Sequence, residues 1–550
     1  MDCATLNSKA LLPALAAATA VAKTLLGPCR SRKQISGGGN DEDGTTTMFT
    51  ANIVTVVRSL HVEHPIFAML LKTVDTHMTH FGTGATTLVT LVHVLTHAAM
   101  DLTHLPPLHI TRGFNRALAQ CVHVLTRMQV NVHEWLRETS RHHVRPPPSA
   151  LTLLGSALSS SHPDRAIAMT TAVEIASSLR SFDTTWPHHV HFQVAVTGGV
   201  ATSSIYRGLL VDLSELCDDV QWPPHPTHFS FSSHQVVLVQ GDIAFSLAAC
   251  RQLESAALIL TTGAICAQTL DWCRHRPIGH AMLCVPYQPL AVLRRVASTF
   301  AVRVCERLCE AIVLVAVVPS PCSPSTEAMC IQATIERLHC RTFLQLQHHT
   351  TTPPPSCSPS PPPSSTLSTT PLTVLVTGMS RATADDATAN ITNALHRLAH
   401  AVEDEVVLPG GGASMAACAS ALRRRPIPSQ DEEIEDDSSM MERIQVIHRF
   451  GDALDEWCAL VLGNAPEHGG GNDFLDIQTK LGDIQTAFDQ GNVEPKFLET
   501  TYYGAALTPL VPPRGTFKFD GFRSTKAALT SAVRVVTLAT NVGVVLINQS

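Results

Sequence analysis

The sequence predicts a multi-domain α+β protein, and three observations carry that reading. The chain has 550 residues, more than one hydrophobic core accommodates, so roughly two to four domains are expected. Both ends are dominated by apolar residues recurring near the helical period, and the middle alternates with the strand period of two. Helices, then an α/β segment, then helices again imply a discontinuous domain whose halves meet across an insert.

The amino-terminal block, from Leu6 to about Arg145, reads as helical over Ala51–Leu60, Pro65–Thr79, Thr86–Ala99 and Arg112–Leu136. Pro146-Pro147-Pro148 closes it, because proline fixes φ and lacks the N–H that a helix needs. A further helix is expected over Ala166–Phe182. At about His188 the pattern changes: Val190–Val196 alternates as a strand and Thr197-Gly198-Gly199 turns it. Strands are expected at Gly208–Leu213, Gln235–Val239, Leu258–Leu260, Ala281–Val285 and Ala311–Ala316, with apolar-faced helices over Ala244–Ala257 and Leu290–Leu308. Thr351–Pro371 is a Pro/Ser/Thr tract that cannot pack a core. A strand at Leu372–Thr377 and a long helix at Asp385–Val402 follow. Pro426–Ser439, with Asp431, Glu432, Glu433, Glu435, Asp436 and Asp437, reads as an exposed acidic loop, and an apolar helix over Thr525–Ile547 ends the chain.

Composition excludes several classes. Hydrophobic residues make up 45% of the chain and charged ones 15%, which fits a folded interior and not a disordered chain. The net charge of -7 argues against a nucleic-acid footprint, which needs a clustered basic face. Arg423-Arg424-Arg425 is compact and basic, but the acidic run beside it makes a solvated loop the simpler reading. The 16 cysteines contain no C-x-x-C pair, so core thiols in a reducing cytosol are expected and not a zinc site. His133-Glu134 begins like a zincin helix, but Arg137 stands where the second histidine ligand belongs. No G-x-S-x-G elbow occurs. Leu11–Ala18 lacks the basic flank of a signal peptide, and no apolar run reaches the ~20 residues of a membrane span. A cytoplasmic protein without membrane insertion is the expectation.

Six motifs then occur in order. They are Leu26–Lys33 (Leu-Gly-Pro-Cys-Arg-Ser-Arg-Lys), Val62-Glu63-His64-Pro65, Gly82-Thr83-Gly84-Ala85-Thr86-Thr87, Arg112-Gly113, Tyr206–Asp212 and Pro409-Gly410-Gly411-Gly412-Ala413. Each is weak alone; the ordered set resembles the group II chaperonin family of the CCT/TRiC type. The resemblance implies a group II chaperonin fold: a helical equatorial domain, a small intermediate domain and an α/β apical domain. The expected boundaries are 1–148 and 406–550 for the equatorial halves, 149–198 and 355–405 for the intermediate parts with the Pro/Ser-rich loop, and 199–354 for the apical domain. About twenty residues separate Val239 from Leu258, so the apical lid protrusion of the family looks shortened.

By the same resemblance, Gly27, Pro28, Gly82, Gly84, Ala85, Thr86, Gly410, Gly411 and Gly412 occupy nucleotide-binding positions, with ATP or ADP as the ligand. The family's Gly-Asp-Gly-Thr-Thr loop carries its Mg²⁺-binding Asp where this chain has Thr83. Its water-orienting Asp falls at Asn393, and a third Asp is lost near Thr50-Ala51-Asn52-Ile53. Neither a hydroxyl nor an amide replaces that charge. Asp43-Gly44-Thr45-Thr46-Thr47 spells most of the motif but precedes Val62-Glu63-His64-Pro65, so it reads as a polar turn between two strands.

Such losses resemble the chaperonin-like branch of Bardet–Biedl syndrome, nearest to the McKusick–Kaufman type. That branch implies an assembly factor without ATP hydrolysis for the ciliary BBSome. Its partners would be other chaperonin-like proteins, CCT/TRiC subunits and a BBSome subunit as client, at the centrosome or ciliary basal body. The alternative is an ATP-dependent chaperonin subunit for general protein folding.

Overall fold

The computed structural model describes residues 3–7, 11–27, 31–36, 47–60, 62, 64–141, 149–158, 163–179, 182–196, 202–212, 371–424, 437–464, 519–541 and 544–548. Between 212 and 371 it also describes 227–232, 236–239, 242–243, 245, 258–274, 283–285, 288, 293–294, 296, 304–305, 330–338 and 341–349. The chain forms two compact units: residues 1–184 with 385–550, and residues 185–384.

The first unit is mainly helical. Its helices from the amino-terminal segment are α1 (Leu11–Thr19), α2 (Ile53–Ser59), α3 (Pro65–Phe81), α4 (Ala85–Asp101), α5 (Pro107–Arg127), α6 (Val132–Arg141), α7 (Ala150–Leu158) and α8 (Pro163–Ser178). Helix α4 is at the centre. Every residue from Leu88 to Thr96 is buried, so it has no polar face. Its threonine hydroxyls are satisfied locally: Thr90 and Thr96 donate to the carbonyls of Thr86 (2.8 Å) and Val92 (2.6 Å). His93 Nδ1 lies 3.1 Å from both Ala16 O and Thr19 Oγ1 of α1.

From the carboxy-terminal segment come α11 (Ala413–Arg424), α12 (Asp437–Gly463) and α13 (Phe522–Asn541). Helices α1, α12 and α13 pack on α4, and α5 packs on α11, α12 and α13. One apolar core thus joins residues from both ends of the chain. At the α5–α12 crossing Phe114 and Phe450 meet edge to face, ring centroids 5.2 Å apart, beside Gly113. Three small sheets complete the unit: β1 (Cys3–Asn7) pairs antiparallel with β18 (Val544–Asn548), β2 (Lys33–Ser36) with β3 (Thr47–Thr50), and β16 (Val406–Pro409) lies between β4 (Val130–Asn131) and β17 (Phe519–Gly521).

The second unit holds three sheets. In one, β15 (Leu372–Gly378), buried throughout, lies between β5 (Val190–Val196), parallel, and β6 (Thr202–Arg207), antiparallel. A parallel sheet runs in the order β11 (Leu283–Val285), β10 (Leu258–Thr261), β9 (Val236–Val239), β12 (Val304–Cys305), with α9 (Ala267–Arg274) after β10. An antiparallel sheet joins β7 (Leu209–Asp212), β14 (Arg341–His349), β13 (Cys330–Leu338) and β8 (Thr227–Ser232). The boundary helix α10 (Arg381–Asp404) leads back into the first unit.

Several expectations are corrected. The helix expected over Arg112–Leu136 is two: Val130-Asn131 pairs with Val406-Val407 as β4, and Asn131 Oδ1 accepts from Glu134 N (3.1 Å) to start α6. The helix expected to Ile547 stops at Asn541, because β-branched Val544, Val545 and Ile547 enter a strand against the amino terminus. Within the helix expected over Leu290–Leu308, Val304-Cys305 pairs with β9 as a strand. The acidic loop expected to Ser439 ends earlier, since α12 begins at Asp437. The β13–β14 hairpin was not expected at all. The expected elements Ala244–Ala257 (save Phe245) and Ala311–Ala316, and the tract Thr351–Pro371 up to residue 370, lie outside the described residues. So does the Asp43–Thr47 turn up to Thr46; β2 and β3 flank it as paired strands. Cys121, Cys418 and Cys458 are buried free thiols of the helical core. No described helix is long and apolar enough to cross a membrane, and no metal-binding His/Cys/Asp/Glu group occurs among the described residues.

Two glycine substitutions test the helix packing. A Cβ on Gly113 would land on Val446 Cγ1, a buried β-branched side chain that cannot rotate away, so Gly113→Ala should lose about 1–3 kcal/mol. At Gly451 of α12 the nearest atom would be 3.5 Å away. Gly451→Ala should therefore gain about 0.5–1 kcal/mol from helix propensity. Urea unfolding of the two variants should shift the midpoint in opposite directions.

Candidate functional site

A cleft of about 240 Å³ opens in the first unit where three glycine turns meet. Each turn follows from local chemistry. Helix α3 ends at Gly82, whose φ of 61° is left-handed and whose N–H donates to Met78 O (2.8 Å). A Cβ there would collide with the His396 ring of α10. Thr83 follows, and Gly84 (φ 88°) caps α4 without a side-chain bond. A Cβ on Gly84 would lie 2.9 Å from His77 Nε2. Two imidazoles thus bracket the Gly82-Thr83-Gly84 turn, and only glycine fits at either end.

The second turn is Leu26-Gly27. Asn464, just past α12, donates to Lys23 O (2.8 Å) and Leu26 O (3.0 Å), and Arg165 Nη1 of α8 donates to Gly27 O (3.1 Å). The third is Gly410-Gly411-Gly412 between β16 and α11, with positive φ at Gly411 and Gly412. Ser414 Oγ donates to Pro409 O (2.9 Å) and the Cys458 thiol to Gly412 O (3.5 Å), which fixes this turn to its own helix and to α12.

Of the residues singled out in the sequence, Gly27, Thr83, Gly84, Ala85, Thr86, Asn393, Gly411 and Gly412 line one cleft. Gly82 and Gly410 shape their turns without lining it, and Pro28 lies outside the described residues. Asn52 lines the cleft too, its Oδ1 capping α2 by accepting from Val54 N (3.0 Å). On α10, Asn390, Asn393, Arg397 and His400 recur at helical spacing along the cleft.

Sequence reasoning missed Arg165, Arg397 and Asp520. Asp520 on β17 is the carboxylate among the described lining residues. Desolvation pushes its carboxyl up, opposed by Arg397 and by the Gly411 N–H that it accepts. Arg397 Nη2 lies 3.3 Å from Asp520 Oδ1 and donates to Phe519 O (3.0 Å). No sequence motif announces this pair, because it forms between helix α10 and strand β17, more than a hundred residues apart in the chain. Asp386, further along α10, accepts from Thr50 Oγ1 (2.7 Å) and is raised by burial.

This donor set does not fit Mg²⁺. The ion takes one or two carboxylates in phosphate sites, and Asp520 is committed to Arg397 and Gly411. The set fits an anion better. The first three amides of α4, at Ala85, Thr86 and Thr87, have no partner in their own helix, and the helix dipole adds positive potential there.

A family model described as the TCP-1/cpn60 chaperonin family matches residues 18–219. Among solved structures, the chain is similar to a group III chaperonin in the open state at 15% identity, covering 97% of each chain with a TM-score of 0.62. No curated protein matches the sequence. The fold is that of a chaperonin.

The histidines around the turn make stability pH-dependent. Burial holds His77 and His396 at about 4, below the ordinary 6.5, and His93 in the α4 core is held at about 4 as well. The unfolded chain takes up these protons near pH 6.5, whereas the folded one resists until about pH 4. Between those values the unfolded state binds more protons, so stability present above pH 6.5 is lost as pH falls. The urea midpoint should drop through this window, and His396→Gln should flatten the slope; an unchanged slope would contradict the assignment.

Proposed function

We propose that this chain is a chaperonin-like assembly factor that does not hydrolyse ATP. The observation that carries the reading is the cleft itself, where Thr83, Asn393 and Asn52 present neutral side chains beside turns shaped for phosphate. Hydrolysis needs a metal to neutralise developing charge and a group to orient the attacking water. Glycine turns supply neither. The motif resemblance extends the proposal to the Bardet–Biedl chaperonin-like branch, nearest the McKusick–Kaufman type. The work would then be assembly of the BBSome, with other chaperonin-like proteins and CCT/TRiC subunits as partners and a BBSome subunit as client. The setting would be the cytoplasm, including the centrosome and ciliary basal body.

An ATP-dependent folding subunit is the competing reading, and one observation favours it. Asp386 is a carboxylate on the same helix, seven residues or about 10 Å before Asn393, although it does not line the cleft. Its bond to Thr50 holds it away from the turns.

Phosphate release from Mg-ATP by the purified chain decides between them. The native chain should stay at background, and Thr83→Asp/Asn393→Asp should gain turnover. Steady hydrolysis by the native chain would overturn the proposal.

A further inference from the structure

We infer that the cleft holds a phosphate-bearing anion without a divalent cation, with Arg165 as the counter-charge. The inference rests on the reading of this cleft as a retained phosphate site and adds how its charge is met. A bound polyphosphate carries several negative charges, and a site can answer them with a metal, with cationic side chains or with oriented amides. The metal option lacks ligands here, as the donor set shows. The other two are present on the same walls.

Arg165 is the cationic group available. Its Nη1 is spent on Gly27 O at 3.1 Å. Its Nη2 is buried and has no hydrogen-bond partner among the described residues. A buried guanidinium nitrogen left without an acceptor is costly, so a native structure that keeps one calls for an acceptor from elsewhere. Arg165 lines the cleft together with the free amino end of α4, and among the described residues no carboxylate pairs with it. Arg397, by contrast, is already answered by Asp520. Guanidinium suits the task, because its planar fork binds phosphate oxygens in pairs. The chemistry therefore selects a phosphate group; a nucleotide and free inorganic polyphosphate share it.

Calorimetric titration of the full chain tests this with ADP, ATP and inorganic triphosphate, each in EDTA and in excess Mg²⁺. At least one of the three should bind in EDTA with a Kd within about threefold of that in Mg²⁺. Tighter binding of ADP or ATP than of triphosphate identifies a nucleotide site; equal binding identifies a polyphosphate site, and either supports the inference. Arg165→Gln should weaken EDTA binding at least tenfold while leaving the unliganded melting temperature within a few degrees, and Arg165→Lys should recover part of it. As a variant that does not touch Arg165, Thr83→Asp should weaken binding in EDTA and make it Mg²⁺-dependent. Binding that requires Mg²⁺ in the native chain, or that ignores Arg165→Gln, would overturn the inference, as would no binding by any of the three. Turnover separates the two readings: hydrolysis with EDTA-insensitive binding defeats the assembly-factor proposal alone, and Mg²⁺-dependent binding without hydrolysis defeats this inference alone.

Discussion

Burial of α4 on every side is the constraint from which the rest of the helical unit follows. A helix with no polar face must be surrounded, and the amino-terminal segment covers part of it through α1, α2 and α3. Helices α12 and α13, from beyond residue 436, close the ring. Each of Leu88, Leu91 and Leu95 is fully buried, worth about 1.5–3 kcal/mol apiece. The insert of residues 185–384 is therefore bracketed by two segments that share one apolar core.

The same constraint creates the cleft. A buried helix still has an amino end, and its first amides must find partners outside the helix. Gly84 offers no side-chain cap, so those amides face the space where the three glycine turns converge. The turns are held from behind by side chains of other elements: His77 and His396 against Gly84 and Gly82, and Asn464 with Arg165 against Gly27. Shape at this site is thus a property of the core packing. It does not depend on which side chain occupies position 83 or 393.

What the sequence disclosed follows this division. Motifs held by local backbone geometry were legible, and eight of the eleven positions named from them line one cleft. Strand Val190–Val196 was legible in full from alternation. What failed depends on contacts remote in sequence. Val544–Asn548 is apolar enough to extend a helix, and it becomes a strand because Cys3–Asn7 is there to pair with it. Val130-Asn131 leaves its helix because β16 lies beside it. Arg165, Arg397 and Asp520 carry no local pattern, and their meaning appears only when α8, α10 and β17 meet one space. The β13–β14 hairpin has the alternation of a strand pair in Ile331, Ala333 and Ile335, but no two-residue Asn-Gly or Asp-Gly turn marks it.

Shape and charge are therefore separable at such a site. Glycine turns and helix amides define where phosphate fits, whereas carboxylates decide whether a metal comes with it and whether water is activated. A chain can lose the second set and keep the first, because the first is enforced by packing that the whole unit needs. The consequence is thermodynamic: a ligand that binds the folded state and is never hydrolysed stabilises by RT ln(1 + [L]/Kd), about 2.7 kcal/mol at a hundredfold excess over Kd. In a cycling subunit that term is released with every turnover. On the proposed reading, a cleft whose one carboxylate among the described lining residues is already paired would keep that term, which would tie α4 and α8 to the turns from both segments of the unit.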